Sequence, residues 1–244
     1  MKHNIIIITL ITLIILLSSS CGKNSHWIKG DGPNVTNERT VGEFESLSLS
    51  MSADVEVFYD SFSRIELNGQ QNILNVIETY SSGKTLQIKL KRHYKIRKHN
   101  PIRIRVYTPR MESVDLSGSG NVSFINSFDN TTFKANISGS GDINYKGSIS
   151  NYINANISGS GGININSSSQ CNAANYTISG SGNLNAEWLK VESVDAKISG
   201  SGNQKLYAVN SLNAKISGSG DIRYHGNPTI NSNISGSGRI IALD

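Results

Sequence analysis

The sequence predicts an all-β protein: a right-handed parallel β-helix (solenoid) with coils of about 20 residues and an N-terminal β cap. Three observations predict it. The tetrapeptide Ser-Gly-Ser-Gly occurs seven times, beginning at Ser117, Ser138, Ser158, Ser179, Ser199, Ser217 and Ser235, in steps of 21, 20, 21, 20, 18 and 18 residues. A repeat of that length is one supersecondary unit stacked on its neighbours. The flanks alternate apolar and polar residues. Leu116, Ile137, Ile157, Ile178, Ile198, Ile216 and Ile234 directly precede the motif, and Val122, Ile143, Ile163, Leu184, Gln204, Ile222 and Ile240 stand two residues after it. Period two is the strand signal, and no helical period fits these windows. Finally, each motif places two glycines at a corner, where either an inward position has no room for a side chain or the turn needs a positive φ.

Taken in chain order, residues 1–20 read as a secretory signal peptide. Lys2 and His3 precede an apolar run from Ile5 to Leu17, and Ser18, Ser19 and Ser20 follow. Thirteen residues are too few for a hydrocarbon core that needs about 20, and the basic start with small residues at the end marks an export signal. Cys21 after those serines matches a bacterial lipobox except that Ser18 stands where Leu is usual. The expectation is a lipid on Cys21, with the outer membrane as destination and its periplasmic or cell-surface side left open. Residues 21–40, with Gly30, Gly32, Pro33 and Asn34, read as the lipidated cysteine and a flexible tether.

Residues 41–115 lack the tetrapeptide but keep the alternation in Val55, Val57 and Tyr59, in Leu86, Ile88 and Leu90, and in Ile102, Ile104 and Val106. They are expected to form opening coils and a cap protecting the apolar end of the stack. Residues 116–244 are the repeat itself, continuous with the cap as one domain. The apolar residues before the motif should form one buried ladder, and Ser138, Ser140, Ser158, Ser160, Ser179, Ser181, Ser199 and Ser201 should line one polar edge.

Several phrases in the repeat carry a family resemblance. Gly141-Asp142-Ile143-Asn144, Gly161-Gly162-Ile163-Asn164 and Gly182-Asn183-Leu184-Asn185 each follow Ser-Gly-Ser, and the lead-in has Phe44-Glu45-Ser46-Leu47, Asp54-Val55-Glu56-Val57, Leu86-Gln87-Ile88 and Ile102-Arg103-Ile104-Arg105-Val106. Over about residues 41 to 244 the chain resembles the head GIN domain family of auto-transporter adhesins from Bacteroides-type bacteria. The resemblance implies a cell-envelope β-helix concerned with adhesion and brings no catalytic residues with it.

Charge is concentrated. The chain carries a formal +5, yet Lys89, Lys91, Arg92, Lys95, Arg97, Lys98, Arg103 and Arg105 supply +8 within seventeen residues, so everything else sums to 5 − 8 = −3. Such a patch suits an anionic glycan or lipopolysaccharide phosphate; the plain alternative is a solvated hairpin whose lysines discourage edge pairing. Lys89, Lys91, Arg92, Lys95, Arg97 and Lys98 are the candidate contacts. Nucleic acid is not expected, because the chain is exported and holds no recognition motif.

Other chemistry is poorly supported. The residue after each motif is Asn121, Asp142, Gly162, Asn183, Asn203, Asp221 or Arg239, too few acids for a calcium ladder. His3, His26, His93, His99 and His225 have no metal-ligand spacing, and neither a metal nor a cofactor is expected. Polysaccharide cleavage needs convergent carboxylates, whereas Glu187, Glu192, Asp195 and Asp221 fall at unrelated coil positions. The expectation is a non-enzymatic envelope lipoprotein presenting a polar face for glycan or surface binding. The alternatives are a polysaccharide-processing enzyme on the same scaffold and a purely structural envelope protein. Cys171, unpaired once Cys21 is acylated, reads as a small buried wall residue rather than a reactive thiol.

Overall fold

A computed structural model describes residues 25–243; the expected leader and Cys21 lie outside the described residues. The first strands in chain order are β1 (His26–Lys29), β2 (Asn34–Arg39), β3 (Ser46–Ser50) and β4 (Asp54–Tyr59). Next come β5 (Arg64–Gln70), a single-turn helix α1 (Gln71–Leu74), β6 (Ile77–Ser82), β7 (Thr85–Leu90), β8 (Tyr94–Arg97) and β9 (Arg103–Thr108). The repeat region comprises β10 (Ser113–Leu116), β11 (Val122–Phe124), β12 (Phe128–Ile137), β13 (Asp142–Ile157), β14 (Gly162–Asn166) and β15 (Gln170–Ile178). It ends with β16 (Asn183–Gly200), β17 (Asn203–Gly218), β18 (Ile222–His225), β19 (Thr229–Gly236) and β20 (Ile240–Ala242).

From β10 onward every pairing between coils is parallel, and the register locks the repeat onto itself. Ile137 lies over Ile157, Ile157 over Ile178, Ile178 over Ile198 and Ile198 over Ile216. On the next face Ile143, Ile163 and Leu184 stack in the same way. Period-two alternation therefore drives one residue of each pair into the interior, and these side chains are buried. The ladder ends where stacking ends. Ile234 pairs with Ile216 but has no partner on its other side among the described residues and is 43% exposed, so the expected buried ladder holds through Ile216 and fails at Ile234. Gln204, the polar exception, is fully buried, its amide Nε2 donating to the Tyr176 and Lys197 carbonyls at 3.2 and 2.9 Å.

The glycines are explained by close approach between coils. A Cβ on Gly139, Gly159, Gly180, Gly200 or Gly218 would overlap the carbonyl oxygen of the motif glycine one coil below. Positive φ is needed as well at Gly200 (136°) and Gly218 (137°), which no side-chain-bearing residue adopts readily.

At the N-terminal end, spatial order departs from chain order. β3 and β4 form a coil, β7 and β9 run parallel beneath it, and β10 and β11 return on top of it. The layer beneath is closed by antiparallel strands, β6 on β7, β5 on β9 and β2 on β5. Ile73 and Leu74 of α1 are fully buried and plug the interior. These strands turn the parallel stack into a closed end, which is what a solenoid cap must do.

The expected flexible tether is corrected here. Within residues 21–40, β1 pairs in parallel with β8, His26 opposite Tyr94 and Lys29 opposite Arg97, and β2 pairs antiparallel with β5. Alternation in His26-Trp27-Ile28-Lys29 and in Asn34-Val35-Thr36-Asn37 is short and polar-rich, so composition masked two real strands. Among the described residues no helix is long and apolar enough to cross a membrane.

Candidate functional site

The serines expected to line one polar edge are exposed at the motif corner, in two rows. Ser138, Ser158, Ser179 and Ser199 form one exposed row and Ser140, Ser160, Ser181 and Ser201 a second, with their backbones tied to the coil below. Successive rungs of a row are about 4.8 Å apart. Their hydroxyls have no hydrogen-bond partner among the described residues.

The Asn and Asp residues after the motif turn out to be structural. Asn121 Oδ1 accepts from the Asp142 backbone N–H at 3.2 Å, Asp142 Oδ1 from Gly162 at 2.7 Å, Asn183 Oδ1 from Asn203 at 3.2 Å and Asn203 Oδ1 from Asp221 at 3.1 Å. Each side chain thus satisfies a backbone donor at the corner of the next coil, where the regular ladder is interrupted. Among the described residues no cluster of three His, Cys, Asp or Glu side chains could hold a metal ion. Cys171 is buried, its thiol donates to the Ala173 carbonyl at 3.4 Å, and burial pushes that thiol's pKa up, away from the reactive thiolate.

The basic stretch divides in two. Lys89 Nζ lies 3.9 Å from Glu78, and Arg105 reaches Glu56 at 3.2 Å and Glu66 at 3.8 Å, so these two cations are neutralised on the sheet. Lys91, Arg92, Lys95, Arg97 and Lys98 are exposed on and around β8. The loops that follow β8 and β1 are joined through Gln70, whose Oε1 accepts from the Asn100 N–H at 2.9 Å while its Nε2 donates to the Gly32 carbonyl at 2.8 Å.

A groove that sequence reasoning missed crosses the third side of the stack, with a volume of about 690 Å³. Its origin is a local failure of the ladder. Ser167, Ser168 and Ser169 leave the strand between β14 and β15, and the Ser169 hydroxyl replaces the missing backbone pairing, accepting from Ile149 N–H at 3.0 Å and donating to Ile149 C=O at 3.1 Å. One coil further, β16 carries three residues, Glu187, Trp188 and Leu189, that have no partner in β17, since Ala186 pairs with Leu206 and Lys190 with Tyr207. Within this bulge Leu189 turns into the core and Trp188 projects out, 65% exposed.

Four successive coils contribute to the groove: Asp129 from the first, Lys146 and Ser148 from the second, Asn166 and the three serines from the third, Trp188 and Lys190 from the fourth. Ser148 Oγ donates to Asp129 Oδ1 at 2.7 Å, which occupies the one carboxylate of the lining. The readable signal was the drop in repeat step from 20 to 18 residues after Ser199, which leaves the coil beginning at Asn183 two residues longer than the one stacked on it.

Several solved structures share the fold of this chain. A "putative adhesin" from Bacteroides fragilis has 21% identity and a TM-score of 0.78, covering 88% of this chain and 100% of its own. A "putative lipid binding protein" from Parabacteroides distasonis has 24% identity and a TM-score of 0.75 over 90% of this chain and 100% of its own. A "putative adhesin" from Parabacteroides merdae has 21% identity and a TM-score of 0.69 over 89% and 99%. No curated relative matches. The profile of the family described as "Putative auto-transporter adhesin, head GIN domain" matches residues 43–228, well over half of the sequence, and the chain belongs to that family.

Proposed function

We propose that this protein is a lipid-anchored, non-catalytic adhesin-like module of the cell envelope that binds a saccharide along the groove beside Trp188. The observation that carries this reading is the indole standing 65% exposed at the end of a groove built from four coils. Three steps of about 4.8 Å give that groove a length of roughly 14 Å, suited to a short oligosaccharide rather than a single small ligand. An indole face offers a flat apolar surface for a sugar ring, and a few convergent polar groups fix the orientation of such a ligand. Ser148, Asn166 and Ser168 supply hydroxyl and amide partners, and Lys146 and Lys190 stand ready for a carboxylate or phosphate substituent.

Binding is favoured over processing because glycoside hydrolysis uses a pair of carboxylates, and this lining contributes Asp129 alone. Family membership supports the adhesive role, the sequence of residues 1–21 supports the lipid anchor, and the two free serine rows would extend the contact surface.

Intrinsic fluorescence tests the site. Trp27 and Trp188 are the two tryptophans, so Trp27→Phe leaves Trp188 as the reporter. Titration with tetragalacturonate and with maltotetraose should give a saturable blue shift with at least one, weakened by Lys190→Glu if the acidic sugar is the ligand. Capture of the protein on immobilised glycans with no change at Trp188 would place the binding site elsewhere.

A further inference from the structure

We propose that the two-stranded parallel sheet of β1 and β8 docks on anionic lipid headgroups of the same membrane that carries the lipid of Cys21, so that the solenoid is held at its closed end by two contacts. The inference goes beyond saccharide binding at Trp188 and rests on the reading of Cys21 as the attachment point. The parallel pairing of β1 with β8 carries it. Trp27 is opposite Lys95, Ile28 opposite Ile96 and Lys29 opposite Arg97. Alternation then sorts the two-stranded sheet into faces. Ile28 and Ile96 pack towards the core, while Trp27, Lys29, Lys95 and Arg97 are exposed on the other side.

That outer face combines one indole with three cations, and Lys91, Arg92 and Lys98 flank it. None of these cations has a carboxylate within salt-bridge distance among the described residues, in contrast to Lys89 and Arg105. Trp27 is 56% exposed, with Lys95 Nζ 5.4 Å from its ring centroid. Amphipathic aromatic rings settle at the headgroup level of a bilayer, and basic residues are drawn to anionic headgroups over about a Debye length.

Position selects the membrane over a distant partner. His26 follows Cys21 by five positions, and five residues span at most about 17 Å when fully extended. A lipid on Cys21 therefore keeps the basic face within reach of the bilayer surface, where the second contact is effectively intramolecular. Hydrogen bonds hold this small sheet in that place. Gly30 N–H donates to the Lys98 carbonyl at 3.1 Å, and Asn72 Nδ2 donates to the Lys29 carbonyl at 2.7 Å.

The test uses the chain from residue 22 without lipid, since residues 25–243 share one continuous core, with cosedimentation on phosphatidylcholine vesicles with and without phosphatidylglycerol. Binding is expected on the anionic vesicles alone and should fade as salt shortens the Debye length. Each cation near such a surface contributes about fivefold, so Lys91→Gln, Lys95→Gln and Arg97→Gln together should weaken binding roughly a hundredfold. With Trp188→Phe, Trp27 emission should shift blue on binding. Absence of vesicle binding, equal binding by the triple variant, or retention on heparin without vesicle affinity would each overturn the proposal. The last would make the partner an acidic glycan. Failed acyl labelling of Cys21 is a separate result that removes the anchor and leaves the vesicle measurement standing.

Discussion

The Asp221 carboxylate ties the last two coils together through Arg239: Oδ2 accepts from Nη2 at 2.8 Å, and Oδ1 accepts both from Nε at 3.3 Å and from the Arg239 backbone N–H at 3.2 Å. It is the final rung of the Asn and Asp series that links each motif corner to the next. The Arg239 hydrogen bond, opposed by desolvation, holds the Asp221 carboxyl below the usual carboxylate range.

A folded pKa below the unfolded one gives stability that is complete above the ordinary carboxylate value of about 3.9 and is lost as pH falls through the folded value. Asp221→Asn should therefore melt below the wild type at pH 7, with the gap closing once pH drops under about 4. Circular dichroism melts across that range provide the check, and a gap unchanged in strong acid would assign the effect to packing.

Stacking is tested by one substitution at two rungs. Ile178 is fully buried in mid-ladder and Ile234 is half exposed at the end. Ile178→Asp should cost several kcal/mol because it buries an unpaired charge. Ile234→Asp should cost about 1 kcal/mol or less. Equal losses in denaturant titrations would contradict the ladder.

Two buried tyrosines should respond with opposite sign to loss of the hydroxyl. Tyr145 OH donates within 2.9 Å of the Ser148 carbonyl and 3.1 Å of that of Phe128, whereas Tyr176 OH is buried without a partner among the described residues. Tyr145→Phe should destabilise by about 1–2 kcal/mol, and Tyr176→Phe should be neutral or stabilising by a similar amount. Burial raises both phenol pKa values, so neither should ionise in a titration to pH 11 while the fold persists.

Cys21→Ala should leave export intact while abolishing acyl labelling, and the protein should leave the membrane fraction at high salt, where the basic face of β1 and β8 no longer holds it. Firm retention of the variant at high salt would remove Cys21 as the anchor.

The repeat made the fold legible because every coil restates the same steric demand: an apolar residue inward at Ile178 or Ile198, and a glycine where Gly180 lies against the carbonyl of Gly159. The cap was only half legible. Its alternation was visible in Leu86 and Ile88, but no local pattern announces that β7 slips beneath β3 while β10 returns above it. Nor could residues 26–39 be recognised as strands, since their partners β8 and β5 lie some 30 to 70 positions further on. The serine rows followed directly from the motif. Trp188 did not, because its exposure depends on a bulge against β17 that appears in the sequence only as a two-residue shortening of the repeat.

The most direct test of the account is a glycan array probed in parallel with the mature protein and its Trp188→Ala variant, both verified as folded by circular dichroism. The groove reading predicts that the wild type binds a defined set of oligosaccharides and that the variant loses that same set. An identical binding pattern in both proteins would contradict it.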